Sequence, residues 1–591
     1  MELDESYRHG SHFIATEPLD RAGEAGEQRV WEAMQVAFAG RECLGYWRYP
    51  IFSQQGKYRK EPDILIADRE LGLIIIEVKS IAIEQIVRIS GHLWEYQDYY
   101  AATGNPYQQA ERQLFALLEY SDREPSLKRQ VNGRALVALP YITSEQWQER
   151  GVHRLPTAPP ILFQEYFSSR EGDKGKLIRD RIRQTPSLVP GNPLANEQWQ
   201  LLLAILAGTP LYRTPSRRVL AGDRSRGRIL QQARDRLFQL DLEQERIAKQ
   251  IPPGPQRIRG IAGSGKTVLL CQKAAHIHLK HPDWMVAFVF FSRSLYHPIL
   301  QQIDKWLRYF SRNEVGYDPK NRNLRVLHAW GGKRQPGLYS TLCRAAGQRP
   351  LTANETQSRQ PNEALAEACC RLLQEAAIPQ LFDAILLDEG QDFIVDSCTF
   401  EGKQPVYWLA YQGLRPVEPA HPQQRRLIWA CDEVQSLESL KVPTVSDLLG
   451  EKLGHLVSGT YGCGIRKSEV LSRCYRTPHS ILTAAHAIAM GFLRPGGMLT
   501  GMRRTEDWNA IGYEVEGKAE GRGQKGFEAV GRWAVGSRGF KAEGKDRVSR
   551  RIRGDLQYQK IALHRPRAQS PNPIPDLWPE SCIEFRVFKN R

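Results

Sequence analysis

Over the first 170 residues the apolar positions switch repeatedly between two periods. "GEAGEQRVWEAMQVAF" repeats every three to four residues and predicts a helix, whereas "PDILIAD", "GLIIIEVKS", "RALVALPYI" and "PILFQEY" are apolar runs of strand length. "NPYQQAERQLFALLEY" predicts a long polar helix between them. Together these elements predict a small α/β domain over residues 1–185. Residues 186–230, rich in Pro, Arg and Gly ("RQTPSLVPGNPL" through "TPSRRVLAGDRSRGR"), suit an exposed linker. From 231 to 450 the runs "RIRGIAG", "WMVAFVFF", "LRVLHAW", "FDAILLDE" and "RRLIWACDE" alternate with helical patterns. That alternation predicts a doubly wound parallel sheet with ligands at the carboxyl ends of its strands. Residues 451–516 are expected to open a second domain of the same type. Residues 517–555 have neither period and read as a disordered insert, and 556–591 as a shortened continuation.

Composition narrows the class. A chain of 591 residues supports three or more domains, and a net charge of +16 favours a polyanionic partner, nucleic acid first. Residues 517–553 hold eleven Lys/Arg against four Asp/Glu and supply +7 of that charge, which weakens the argument for the rest. The start "MELDESYRHG" has no basic region followed by an apolar one, and "LIIIEV" and "MVAFVFF" fall far short of the roughly 20 residues of a membrane helix. A soluble cytoplasmic protein is expected. The ten cysteines include no C-x-x-C pair and no His partner at zinc spacing, so they read as reduced packing thiols.

The strongest chemical signal is "GIAGSGKT", Gly260 to Thr267, between a strand-like run and the helical "VLLCQKAAHIH". Gly260, Gly263 and Gly265, with Ser264 between them, let backbone N–H groups turn toward phosphate oxygens. Lys266 neutralises β/γ charge, and Thr267 offers its hydroxyl to Mg²⁺. "FDAILLDEGQDF" delivers Asp388 and Glu389 at a strand end, the first to hold Mg²⁺ and the second to polarise the attacking water. ATP and Mg²⁺ are the cofactors expected.

With these motifs the chain resembles superfamily 1A helicases of the UvrD/Rep type, whose second motif is DExQD. "LEQERIA" resembles that family's Q motif, which implies that Gln244 reads adenine. "FFSRSL" and "LHAW" stand where the single-strand-binding motifs Ia and Ib would, with Val326 replacing the usual Thr and Trp330 a candidate for stacking on bases. "CDEVQSL" is similar to motif III, implying a γ-phosphate contact at Gln435, and "LSRCYRTPHSIL" to motif IV, implying an arginine finger at Arg476. The resemblance implies a RecA-like P-loop domain followed by a partial second one. No motif V or VI follows Arg476, so sustained unwinding by this chain is not expected.

Asp63 opens one strand, and Glu77 and Lys79, two apart, share a face of the next. The turn "ADRELG" would bring Asp63 beside Glu77. Two acids and a cation suit Mg²⁺-dependent phosphodiester cleavage, although a buried hairpin with charged ends has the same string. The pattern resembles the PD-(D/E)xK nucleases and, with "GEAGEQRV" upstream, the NERD (nuclease-related) domain. This implies a restriction-endonuclease-like fold, a metal site that includes Glu27, Asp63 and Glu77, and an "NPxxQ" segment, Asn105 to Gln109, on the adjoining helix. The sequence thus reads as a nuclease-related domain, endo- or exonucleolytic, joined to an ATP-dependent helicase-like unit acting on single-stranded or forked DNA in DNA processing or repair. A non-catalytic, ATP-responsive DNA-binding protein, or a truncated or decayed helicase, is the alternative.

Overall fold

The structure, a computed structural model, describes residues 11–17, 24–52, 59–90, 93–97, 103–151, 158–168, 171–207, 242–311, 313–332, 335–432, 444–461, 464–471, 474, 476–477, 481–482 and 485. Expectations for 517–555, 556–591 and Gln435 lie outside these residues. Among the described residues no helix is long and apolar enough to cross a membrane.

A mixed α/β architecture with two six-stranded sheets results. The first sheet runs in chain order: β1 (Ser11–Ala15), β2 (Cys43–Trp47), β3 (Ile64–Asp68), β4 (Gly72–Val78), β5 (Gly133–Leu139) and β6 (Ile161–Phe163). β2, β3 and β4 pair antiparallel in sequence, and the flanking pairs are parallel. All seven residues of β4 are buried because both faces are covered, which is why the run is apolar without alternation up to Glu77. α1 (Glu24–Phe38) and α3 (Glu171–Gln184) cover the face that carries Ile64, Ile74 and Ile76. α2 (Pro106–Ser121) and α4 (Asn196–Ala207) cover the other, with Leu65, Leu73 and Ile75.

The linker expected over residues 186–230 is folded in its described part, 186–207, whereas 208–230 lie outside the described residues. Residues 188–206 bury Leu194, Trp199, Leu202 and Leu206 against α2 and the first sheet, and Val189 bridges to Gly133. The Pro- and Gly-rich composition of the stretch masks a short helix, "NEQWQLLLAILA", whose apolar content cannot remain in water.

The second sheet is wholly parallel. Its strands are β7 (Gln256–Gly260), β8 (Val286–Phe290), β9 (Leu324–His328), β10 (Ala384–Leu387), β11 (Arg426–Cys431) and β12 (Ser468–Leu471), in the order β9-β8-β10-β11-β7-β12. α5 (Leu242–Lys249), α6 (Lys266–Lys280) and α7 (Tyr296–Phe310) pack on one face. On the other lie α8 (Pro361–Glu375) and the short helices around Leu342, Leu409 and Leu449. The boundary expected at 450 therefore moves. Leu453, Leu456 and Val457 join this core, and β12 hydrogen-bonds to β7, so described residues assigned beforehand to a second domain complete this one.

The two sheets meet along a seam of buried charge. Lys249 Nζ lies 2.6 Å from Glu245 Oε1, above the rings of Tyr46 (4.8 Å) and Tyr49 (4.6 Å), and Tyr46 Oη donates to Glu245 at 2.8 Å. Burial pulls Lys249 below the usual lysine range, and Glu245 opposes that shift. At the far end of α6, Lys280 pairs with Glu17 (3.0 Å) and Glu61 (3.5 Å). Replacing one member of a buried ion pair strands the other in low dielectric. Lys249→Ala is expected to lower unfolding free energy by about 3–5 kcal/mol, and Lys249→Met combined with Glu245→Gln to recover much of the loss, as read by denaturant midpoints.

Candidate functional site

The β3–β4 hairpin is built by Asp68. Its buried carboxylate accepts from Glu70 N (3.0 Å) and Leu71 N (2.9 Å) and holds Arg41 at 2.7 and 3.0 Å. The turn ends at Gly72, φ +79°, where a Cβ would stand 2.3 Å from Asn132 O, so glycine is required. This fixes the register Ile64↔Ile76, which carries Asp63 opposite Glu77. Asp63 Oδ2 accepts from Val78 N at 2.7 Å, and Lys79 Nζ donates to Glu77 Oε1 at 2.9 Å. The three residues singled out in the sequence thus converge on the face covered by α2.

Their electrostatics are those of a crowded acid pair. Burial raises Asp63 well above the ordinary carboxylate range, and the charges of Glu77 and Glu27 push it further. Glu77 is also raised by burial, with the Lys79 ammonium opposing. Two carboxylates in low dielectric resist ionising together, and a cation beside them relieves that cost.

Glu27 stands apart from the trio. It projects from α1, on the opposite face of the sheet, and accepts from Arg48 Nε (3.1 Å), Arg48 Nη2 (3.2 Å) and Trp47 Nε1 (3.1 Å). Arg48 reaches it because its backbone turns left-handed, φ +58°, directly after β2. Among the described residues no three His, Cys, Asp or Glu side chains converge as a ready metal cluster. The residues that fit Mg²⁺ are therefore Asp63 and Glu77, with Glu27 contributing charge from a distance.

One contributor has no counterpart in the sequence reading. Asn105 caps α2 by accepting from Gln108 N (2.8 Å), with Pro106 in the first turn, and Gln109 is exposed. That cap sets the helix phase so that Gln113 enters the core. Its Nε2 contacts Glu77 Oε2 (3.4 Å) and Glu61 O (3.0 Å), and its Oε1 is buried with no hydrogen-bond partner. A polar residue on the buried stripe of Pro106, Ala110, Leu114 and Leu117 is the signal that could have found it.

The second constellation lies at the carboxyl ends of the parallel strands. The loop after β7 turns at Gly263 (φ +79°) and Gly265 (φ +89°), the latter capping α6. A Cβ on Gly260 would lie 2.5 Å from Ser264 Oγ. Lys266 Nζ folds onto the loop, donating to Gly260 O (2.8 Å) and Ile261 O (3.2 Å), with Asp432 at 3.4 Å. Thr267 Oγ1 donates to Asp388 Oδ1 at 3.2 Å, while Asp388 Oδ2 is buried with no hydrogen-bond partner. An orphaned buried carboxylate oxygen beside a hydroxyl fits a hydrated cation. Burial, reinforced by Glu389, pushes Asp388 up to about 7.

Around this centre the remaining candidates divide. Glu389, φ +50°, is held by Gln391, whose Nε2 donates to Glu389 Oε2 (2.7 Å) and whose Oε1 accepts from Asp432 N (3.0 Å). Arg476 is exposed beside the loop: a Cβ on Gly263 would come within 2.7 Å of its own Cβ. Gln244 is buried and donates to Ser264 O at 2.6 Å, so it braces the loop from beneath. Trp330, expected to stack on bases, packs against Tyr339 and donates its indole N–H to Leu351 O (2.9 Å), a core-wall role. His328 accepts from Trp330 N and Gly331 N, closing the end of β9.

Residues 22–140, from the start of α1 to the end of β5, match the nuclease-related domain (NERD) family. The match includes Glu27, Asp63, Glu77, Lys79 and Gln113. A comparison with curated proteins finds no match.

Asp388 yields a pH prediction. Its folded value of about 7 exceeds the ordinary 3.8, so between those limits the folded state binds the extra proton and stability falls as pH rises. In metal-free buffer the wild type should lose roughly 4 kcal/mol across that window through this group. Asp388→Asn should be flatter over the same range in melting experiments, retaining only the slope from groups such as Asp392, pushed up to about 6.

Proposed function

We propose that this chain is a DNA-processing protein in which a metal-dependent nuclease unit is packed against an ATP-binding unit. One observation carries the nuclease reading: within the segment that matches a nuclease-related domain, a half-buried Asp63 and the buried Glu77 and Lys79 are brought together at the ends of two paired strands, on the face covered by α2. Asp63 and Glu77 would hold Mg²⁺, which when bound supplies charge neutralisation at the phosphodiester and acidifies a water. Lys79 keeps Glu77 oriented and presents an ammonium toward the scissile phosphate. Gln113 holds the second Glu77 oxygen and so limits its rotation.

The second unit is read as a RecA-like P-loop domain of the UvrD/Rep type. Support comes from the six parallel strands, the loop at the end of β7 and the acid pair at the end of β10, separated by β11, which ends at Cys431 just before Asp432. In this reading Lys266 exchanges the carbonyls of Gly260 and Ile261 for phosphate oxygens. Thr267 and Asp388 would hold Mg²⁺, and Gln391 would aim Glu389 at an attacking water. Gln435 and Arg476 would sense the γ-phosphate. The exposed Ser292 and Arg293, just after β8, would receive a DNA backbone in this reading.

Cleavage and nucleotide binding separate the two claims. On forked DNA with Mg²⁺, Glu77→Gln should abolish cleavage, and Lys79→Met should slow it by roughly 10²-fold or more, with both variants still binding ATP. Lys266→Ala should lose ATP binding and hydrolysis and keep ATP-independent cleavage. Cleavage untouched in Glu77→Gln would remove the nuclease assignment, leaving DNA handling alone. Wild-type ATP binding equal to that of Lys266→Ala would remove the nucleotide assignment.

A further inference from the structure

Ten residues beyond Asp388 the chain passes α8, and there two thiols face each other. Cys370 Sγ on α8 lies 2.9 Å from Cys398 Sγ, closer than two sulfurs rest in simple packing contact. A disulfide needs about 2.0 Å, so closure asks for a movement of only about 1 Å. All eight described cysteines are free thiols.

The encounter is built into the loop. Gln404 clamps the loop at Val395, accepting from Val395 N (3.0 Å) and donating to Val395 O (2.9 Å). Phe400 and Lys403 exchange two backbone hydrogen bonds at 2.9 and 3.0 Å. Cys398 is held between these two fastenings, so its thiol meets α8 in one defined position. The two sulfurs also differ in access. Cys398 is partly exposed, whereas Cys370 is buried and its thiol is pushed up to about 12 by burial and by Cys398. The accessible sulfur is the one a small oxidant reaches, and the buried one is the resolving partner. Cys369, the neighbour on α8, is fully buried.

We propose that Cys370 and Cys398 form a reversible disulfide site whose co-reactant is a hydroperoxide. The Cys398 sulfur attacks the peroxide and the O–O bond breaks, giving a sulfenic acid at Cys398 and one molecule of water or alcohol. The Cys370 sulfur then attacks the Cys398 sulfur and the S–O bond breaks. The hydroxyl leaves as water with the Cys370 proton. Two thiols have lost two electrons and two protons, and the peroxide has taken them. A small thiol reductant reverses the bond by exchange. The bridge fastens the segment that leaves Asp388 and Glu389 to α8, independently of what either candidate site does.

The test uses the full chain, reduced and then exposed to hydrogen peroxide, alkylated without reduction and mapped by mass spectrometry. The expected product is one peptide pair joined through Cys370 and Cys398, two hydrogens lighter than its parts and released by dithiothreitol. Oxidised wild type should also melt higher than reduced by roughly 5 °C or more, because a closed loop restricts the unfolded chain. Cys398→Ser should lose both effects, and Cys370→Ala gives the same readout should that variant fail to fold. Complete oxidation of Cys398 to sulfinic acid with no joined peptide, or a bridge through Cys369, overturns the proposal.

Discussion

A buried charge must be matched where it sits, and α5 meets that demand on four sides at once. Successive helical residues point about 100° apart, so neighbours on this short helix serve different parts of the molecule. Gln244 supports the glycine-rich loop after β7 at Ser264, and Glu245 receives the Tyr46 hydroxyl from the first sheet. Arg246 forms a two-pronged pair with Glu469 on β12 at 2.9 and 2.8 Å, and Lys249 donates to Leu206 O at the end of α4. The position of the loop and the seating of the first sheet therefore depend on one eight-residue element. It is polar on average, yet its described side chains are buried, which is tolerable only because Gln244, Glu245, Arg246 and Lys249 each find at least one partner.

Both candidate sites use the same physical device. A carboxylate is taken out of water, so that its charged form is costly, and a cationic side chain is kept near. In the first unit Glu77 has Lys79; in the second, Asp388 has the Thr267 hydroxyl and the electrostatic support of Lys266. What differs is the scaffold. The hairpin acids hang on paired antiparallel strands whose register is set by the Asp68 turn. The acid pair of the second unit sits where a parallel strand stops and the backbone turns left-handed at Glu389.

Much of this was legible in the sequence where the chemistry is local. Strands buried on both faces announce themselves as nearly unbroken Ile, Leu and Val runs, the two-residue spacing of Glu77 and Lys79 survives intact, and the left-handed turns fall on two glycines of "GIAGSGKT", Gly263 and Gly265. What was illegible depends on distant partners. Nothing near Glu27 in the chain says that Arg48 will claim it from a left-handed turn, and nothing near Trp330 says that Leu351 O will receive its N–H. Residues 186–207 misled because Pro and Gly at the front of the stretch outweighed the apolar helix behind them. Gln113 was hidden for the opposite reason: it lies on a stripe otherwise read as plain core.

α6 begins with Lys266 at the glycine-rich loop and ends with Lys280 on Glu17 and Glu61, two residues before Asp63. Fifteen residues at about 1.5 Å each make it a baseline of roughly 22 Å. Its length is also a phase. Inserting or deleting one residue would swing Lys280 by about 100° around the axis and turn its ammonium away from both acids. Only a change of about seven residues, close to two turns, would bring it back to the same bearing, and by then the ends would stand about 10 Å further apart or closer. The helix, buried along nearly its whole length, is therefore constrained in its count of residues as well as in their identity.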